Sequence, residues 1–310
     1  MARSSSIDLD SPDRPFDNII NFRDVGRTIN HFCGAQILKE GVFFRSARLD
    51  DASERDTRRL ADDLHIATVI DLRSQTEHQM ATRKRRAELA STDDSAQEVD
   101  LTAAPVPLDA DEHLVQIPDS HRAPISLTGK GFERALLAKL DWYTYIKVLG
   151  MAMAGYRHDA LRIIGQQVMQ PRGLTGLAKD TLDASTSELR SIFALLATPQ
   201  SYPVLVHCTQ GKDRTGLVVL LALLLAGISA PALVDDYTRS ELELISEFEE
   251  RMREIRALGL DEDYTRCPPG FIDDITAYLE EKYGGVQSYL AGIGVDAPMQ
   301  EQIRQTLLVQ

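Results

Sequence analysis

The stretch Val206-His207-Cys208-Thr209-Gln210-Gly211-Lys212-Asp213-Arg214-Thr215-Gly216 stands between a short apolar run, Val204-Leu205-Val206, and a long one that begins at Leu217. The short run reads as a buried strand. The long one, Leu217 to Ile228, reads as a core helix, because about twelve residues fall short of the roughly 20 that cross a bilayer. The junction is therefore strand, loop and helix, with the helix starting near Thr215. Loop amides that point inward form a nest, and a helix N-terminus adds about half a positive charge, so this junction suits an anion such as phosphate. Gly211 supplies a backbone conformation that other residues reach only at a cost.

A thiol is set in that positive field. A helix N-terminus with Lys212 and Arg214 beside it lowers a cysteine pKa from about 8.5 into the range of roughly 3.5 to 7.5, so Cys208 is expected to be a thiolate and a nucleophile toward phosphorus. Arg214 can hold two phosphate oxygens bidentately and follow their charge into the transition state. Asp213 is the nearest carboxylate able to protonate a leaving oxygen, with Asp180 and Asp183 as rivals. Thr215 can hydrogen-bond the sulfur as it departs, and His207 is expected to fix the cysteine backbone. Thr209, Gln210, Gly211 and Lys212 complete the expected substrate-binding loop, Lys212 being read as a ligand contact or, alternatively, a solvated lysine on the loop rim.

Other segments extend the pattern. Gly41 to Arg45 and Ala67 to Leu72 read as strands, with a helix from Ser53 to Leu60 between them. From Glu77 to about Gly131 the sequence is polar and predicts one strand, Glu98 to Leu108, in otherwise irregular chain. Residues 132 to 170 form helix along a face marked by Phe132, Leu136, Leu140, Tyr143 and Lys147, interrupted at Gly150 and Gly155. Helices are expected at Ser187 to Ala197, Pro231 to beyond Phe248, Phe271 to Tyr283, Val286 to Ala291 and Met299 to Leu308. Alternating strands and helices before a helical tail indicate an α/β fold, a central sheet flanked by helices. Residues 1–15 are expected to be a disordered arm, and 16–310 a single domain with a helical insertion at about 130–180 that could serve as a lid.

At 310 residues, 43% hydrophobic and 26% charged, the chain has the composition of a globular protein. Its net charge of −13 excludes nucleic acid as the main partner, which calls for a surplus of Lys and Arg. Cys33, Cys208 and Cys267 are odd in number and far apart, which suggests neither a disulfide framework nor a zinc site. With no apolar leader at the N-terminus, a cytoplasmic location is expected, without metal, cofactor or stable membrane insertion. The basic run Arg83-Lys84-Arg85-Arg86 reads as a solvated helix face, with an inositol phosphate or anionic membrane contact as the alternative. Trp142, Tyr143 and Tyr145 read as core or lid packing.

The run from His207 to Thr215 resembles the signature of the tyrosine phosphatase superfamily, and Gly211-Lys212-Asp213-Arg214-Thr215-Gly216 is similar to its atypical branch with an HCxxGKDRTG loop. Asn21-Phe22-Arg23-Asp24-Val25-Gly26 resembles the branch's N-terminal element, with Arg27 where the family has a second glycine. Phe44-Arg45-Ser46, Asp71-Leu72-Arg73-Ser74 with Glu77, Tyr283-Gly284-Gly285, Tyr289-Leu290 and Gly294-Val295-Asp296 resemble further family segments. The likeness covers nearly the whole chain apart from the arm and about 80 to 180, where some relatives carry a helical lid. It implies a phosphatase acting on phosphotyrosine, with phosphoserine, phosphothreonine and phosphoinositides as further expected substrates, Cys208 as nucleophile, Arg214 as clamp, Asp213 as acid and Lys212 facing additional substrate charge. Arg23, Asp24, Arg45 and Arg73 are then braces of the loop. The alternatives are a phosphatase of inositol phosphates or pyrophosphates and a silent phosphate-binding pseudophosphatase.

Overall fold

In a computed structural model, residues 16–90 and 112–310 are described. Five short strands form one sheet: β1 (Arg23–Asp24), β2 (Phe43–Ser46), β3 (Thr68–Asp71), β4 (His121–Pro124) and β5 (Val204–His207). Their order is β1-β2-β5-β3-β4, and all neighbours run parallel except β1 with β2. The expected α/β class is the one observed.

Alternation along the strands explains why helices cover both faces. Phe43, Ile70, Val204 and Val206 point into the main core, whereas Phe44, Val69 and Leu205 point into a second cluster with Phe16, Phe22, Leu49 and Leu60. A strand buried on both faces reads as a continuous apolar run, as 204–206 does. The helix Asp213–Leu225 that follows β5 is buried nearly all round, from Thr215 to Leu223, as a helix without a polar face must be. The register aligns Ser46 of β2, His207 of β5 and Asp71 of β3 side by side. The chain leaves central β5 at the carboxyl edge of the sheet, between two flanking strand ends, where open α/β sheets form their binding crevices.

Several helices lie where the pattern places them, among them Thr186–Leu196, Phe271–Tyr283 and Val286–Gly292. Ser53 caps Glu54–Arg58 with a reciprocal capping box through Asp56. The polar stretch after Glu77 departs from expectation: Gln75–Ala90 is helical, and β4 lies at 121–124. Charged side chains on every face hide the period of that helix, and only Ala123 of β4 is buried, so neither carries an apolar repeat. The expected strand 98–108 lies outside the described residues, as does the arm 1–15. The continuous face from Phe132 to Lys147 is also corrected. Lys130–Leu137 ends before Asp141 caps a new helix, Trp142–Met153, so Phe132 and Leu136 are buried while Tyr143 and Lys147 face out. Gly150 sits inside that helix, and the break comes at Gly155, with φ 92°.

Candidate active site

The loop 208–212 is held from outside by its carbonyl groups. Thr209 O accepts from Arg48 N (3.1 Å), Gln210 O from Asn21 Nδ2 (2.9 Å), Gly211 O from Arg45 Nη2 (2.7 Å) and Lys212 O from Gly216 N (2.8 Å). With the carbonyls of 209–211 bound to neighbouring segments and that of Lys212 to the helix that follows, the loop's amides remain as donors for an anion. Gly211 N donates to Cys208 Sγ at 3.2 Å. The helix that starts at Asp213 has no side-chain cap, so its first N–H groups add to the anion site. Gly211 has φ 66°, and a Cβ there would lie 2.2 Å from Ser46 O, so the loop is pressed onto the end of β2.

Three buried groups brace it from below. Asp236, on the helix Ala230–Glu243, pairs with Arg23 (2.7 Å) and with Arg45, and Arg23 also donates to Asn21 Oδ1 and Ser240 Oγ. Burial and the repulsion of Arg23 pull Arg45 down to about 10, against the attraction of Asp236. Asn21 takes φ 53°, a left-handed conformation that Asn tolerates better than most residues. Asp24 caps the helix Val25–Cys33. Arg27 therefore lies in a helical turn, where the family's second glycine is not needed.

On the other flank Asp71 is fully buried among Arg73 (2.9 Å), Arg122 (2.7 Å), His78 (3.6 Å) and His207 (3.6 Å). Burial would raise its carboxyl, but these neighbours hold it far below the usual carboxylate range. His207 Nδ1 lies 3.2 Å from Cys208 O; a carbonyl only accepts, so Nδ1 carries the proton. Burial lowers the pKa of His207 against the attraction of Asp71, and its Nδ1–H is directed at the Cys208 carbonyl.

Arg214 meets Glu77 in a fork, with both Nη atoms 2.6 Å from carboxylate oxygens. Glu77 further accepts from the Thr209 hydroxyl and from Ser74 N and Oγ. Burial opposes both charges, yet the pairing prevails: Glu77 is driven down and Arg214 up. Nη1 also reaches Leu72 O at 3.4 Å. Of the five guanidinium hydrogens three are thereby engaged, which leaves, among the described residues, Nε–H and one Nη2–H on a single edge, a pair suited to bidentate contact with a phosphate.

Lys212 is wholly buried, so it is not a solvated rim lysine. Its Nζ donates to Tyr264 O (3.1 Å) and Arg266 O (2.5 Å) and lies 3.5 Å from Asp213 Oδ1. Arg251, also buried, donates to the intervening Thr265 O at 2.7 Å. Asp213 is about one-third exposed, and Tyr237 OH lies 3.4 Å from its Oδ1. The rival carboxylates are engaged elsewhere: Asp180 by Arg172 and Lys139, Asp183 by Tyr278, Lys282 and Tyr283. The Thr215 hydroxyl is buried with no hydrogen-bond partner among the described residues. Burial pushes Cys267 up to about 11, consistent with an unreactive thiol. Asn21, Glu77 and Arg251 gain their places only through the fold. Of the three, Asn21 and Glu77 lie in segments that already resembled the family.

Comparison with known proteins agrees with this geometry. The sequence model described as "Tyrosine phosphatase family" matches residues 14–309. The chain is similar to the triple specificity protein phosphatase PtpB of Mycobacterium tuberculosis, 27% identical over 307 residues, 93% of this chain and 96% of that protein. It is also similar to a tyrosine-protein phosphatase of Nostoc commune, 32% identical over 132 residues, 40% of this chain and 45% of the relative.

Proposed function

The chain belongs to the tyrosine phosphatase family and is a protein-tyrosine phosphatase, and from that premise we propose how residues 208–215 divide the work. The observation that carries the reading is the loop itself: carbonyls engaged by surrounding groups, the Gly211 amide donating to Cys208 Sγ, and an Arg214 edge left open by Glu77. A phosphate monoester rests on the amides and on Arg214. Cys208 Sγ attacks phosphorus, the S–P bond forms as the bond to the leaving oxygen breaks, and Asp213 gives that oxygen a proton. Water then attacks the phosphocysteine while Asp213 takes its proton. The S–P bond breaks with its electron pair going to sulfur, which leaves as a thiolate accepting a hydrogen bond from the Thr215 hydroxyl, and phosphate departs.

We extend the substrate range beyond phosphotyrosine to phosphoserine, phosphothreonine and phosphoinositides, supported by the triple specificity of the Mycobacterium relative. Lys212 faces substrate charge only if it is released from the carbonyls of Tyr264 and Arg266, so its first role is to hold segment 264–266 beside Asp213. Residues 16–310 are taken as one catalytic domain carrying the insertion. The three free cysteines support a reducing, cytoplasmic setting. Assaying phosphotyrosine, phosphoserine and phosphothreonine peptides beside phosphoinositide vesicles tests the range: turnover of all supports it, and turnover of the tyrosine peptide alone restricts the enzyme to that class.

A further inference from the structure

The helical insertion carries an apolar surface that the catalytic scheme does not use. Eight of the fourteen exposed large hydrophobic residues among the described residues fall between 142 and 161. They include Trp142 (75% exposed), Tyr143 (69%), Ile146 (55%), Met153 (82%) and Tyr156 (62%), which corrects the core half of the expectation that Trp142, Tyr143 and Tyr145 pack in a core or a lid. Only Thr144 and Val148 of the helix Trp142–Met153 are buried, and Lys147 is its one charge. A helix this apolar, exposed on most of its circumference, marks a surface that something covers.

The hairpin of Trp142–Met153 and Arg157–Ile164 is rooted beside the phosphate loop. Gly165 at its base abuts Leu258 O, where a Cβ would come within 1.9 Å. Beyond the base, Met169 O accepts from Tyr264 OH, and Gln170 Oε1 accepts from Asp261 N at 3.1 Å. The same 261–266 segment supplies the two carbonyls that hold Lys212. Charge identifies the partner. Within residues 142–164 stand Lys147, Arg157 and Arg162 against Asp159, a local excess of two positive charges in a chain of net −13. Trp and Tyr beside aliphatic side chains, with basic residues close by, is the composition that settles at a lipid–water interface. No helix among the described residues is long and apolar enough to cross a membrane, so the element would lie on the bilayer rather than span it.

We propose that the hairpin 142–164 docks the enzyme on an anionic lipid surface, with its apolar side chains entering the headgroup region and its basic residues facing lipid phosphates. This goes beyond phosphatase activity and does not depend on it. The chain's single tryptophan is Trp142, so its fluorescence reports the contact directly. The full chain is titrated with phosphatidylcholine vesicles and with vesicles containing phosphatidylserine, alongside an I146S/M153S variant whose turnover of soluble phenyl phosphate serves as a folding control. The expected result is a blue shift and co-sedimentation with the anionic vesicles, weakened at high salt, and at least about tenfold weaker in the variant, since each lost apolar side chain removes more than a tenfold's worth of burial. Any of three outcomes overturns the proposal. They are no shift or sedimentation with anionic vesicles, a shift in buffer that follows protein concentration and a dimeric mass, and a shift caused by vanadate alone, which would make the hairpin a lid. Phosphotyrosine turnover that fails while vesicle binding persists would instead count against the catalytic reading.

Discussion

At the scale of single residues the account turns on Asp213 and Glu77. If Asp213 supplies the proton, Asp213→Asn slows peptide phosphotyrosine much more than an ester with an acidic phenol as leaving group, because only the poor leaving group needs protonation. Equal losses on both, measured as kcat, would assign the proton elsewhere. Glu77 touches no substrate in this scheme but fixes the open edge of Arg214. Glu77→Gln is expected to lower kcat/KM about tenfold to a hundredfold, the scale of a misplaced catalytic group, while vanadate affinity falls in step because the same edge binds it. Unchanged vanadate affinity in that variant would make Glu77 merely structural. The placement of Cys208, Asp213 and Arg214 on one strand–loop–helix junction was legible in the sequence because it is local to that junction. The attachment of Glu77 to Arg214 was not, because 137 residues separate the partners and only the alignment of β3 with β5 brings them together. Lys212 shows the converse: its charge suggested a ligand contact, but the carbonyls that hold it come from a loop more than fifty residues away.

At the scale of elements, the strand, loop and helix around 204–225 could be read because period and composition agree there. The helix Gln75–Ala90 and strand β4 could not, because neither presents an apolar face and both are fixed by partners: Glu77 by Arg214, and Arg122 by Asp71. The loop's contact with β2 gives a sharp test. Gly211→Ala places a methyl group against Ser46 O in a left-handed backbone, so the loop must shift, and activity is expected to fall at least about a hundredfold while the fold persists. Wild-type kcat in that variant would contradict the geometry. The start of Gln75–Ala90 also carries a pH dependence. His78 shares a 2.9 Å hydrogen bond with His113 and faces Asp71, Arg73 and Arg122. Burial lowers its pKa from 6.5 to about 4, with Arg73, Arg122 and His113 adding to the effect and Asp71 opposing it. Because the folded value is depressed, the unfolded chain takes the proton first. The stabilisation is full above about 6.5 and is lost as pH falls toward 4. Melting temperatures across that window should drop less steeply in His78→Asn than in the wild type; parallel slopes would remove His78 from the account.

At the scale of the whole molecule, a strongly acidic chain concentrates cations where they serve one loop. Arg23, Arg45 and Asp236 tie β1, β2 and the helix Ala230–Glu243 into one buried unit beneath it. Asp236→Asn leaves two buried guanidinium groups short of their counter-charge and is expected to destabilise the fold by about 3–5 kcal/mol in chemical denaturation. The resemblance of Arg23 and Arg45 to family positions announced a brace, but nothing in the sequence named Asp236 as its centre, since a buried carboxylate in a helix looks like any surface aspartate until the packing is known. The central claim is that phosphate passes through Cys208. Acid quench of the enzyme turning over a radiolabelled phosphotyrosine peptide, followed by peptide mapping, tests it most directly. The account predicts label on Cys208 in the wild type, more of it in Thr215→Ala, where sulfur departs more slowly, and none in Cys208→Ser, which should bind vanadate yet not turn over. Label on another residue, or turnover at the wild-type rate in Cys208→Ser, would contradict it.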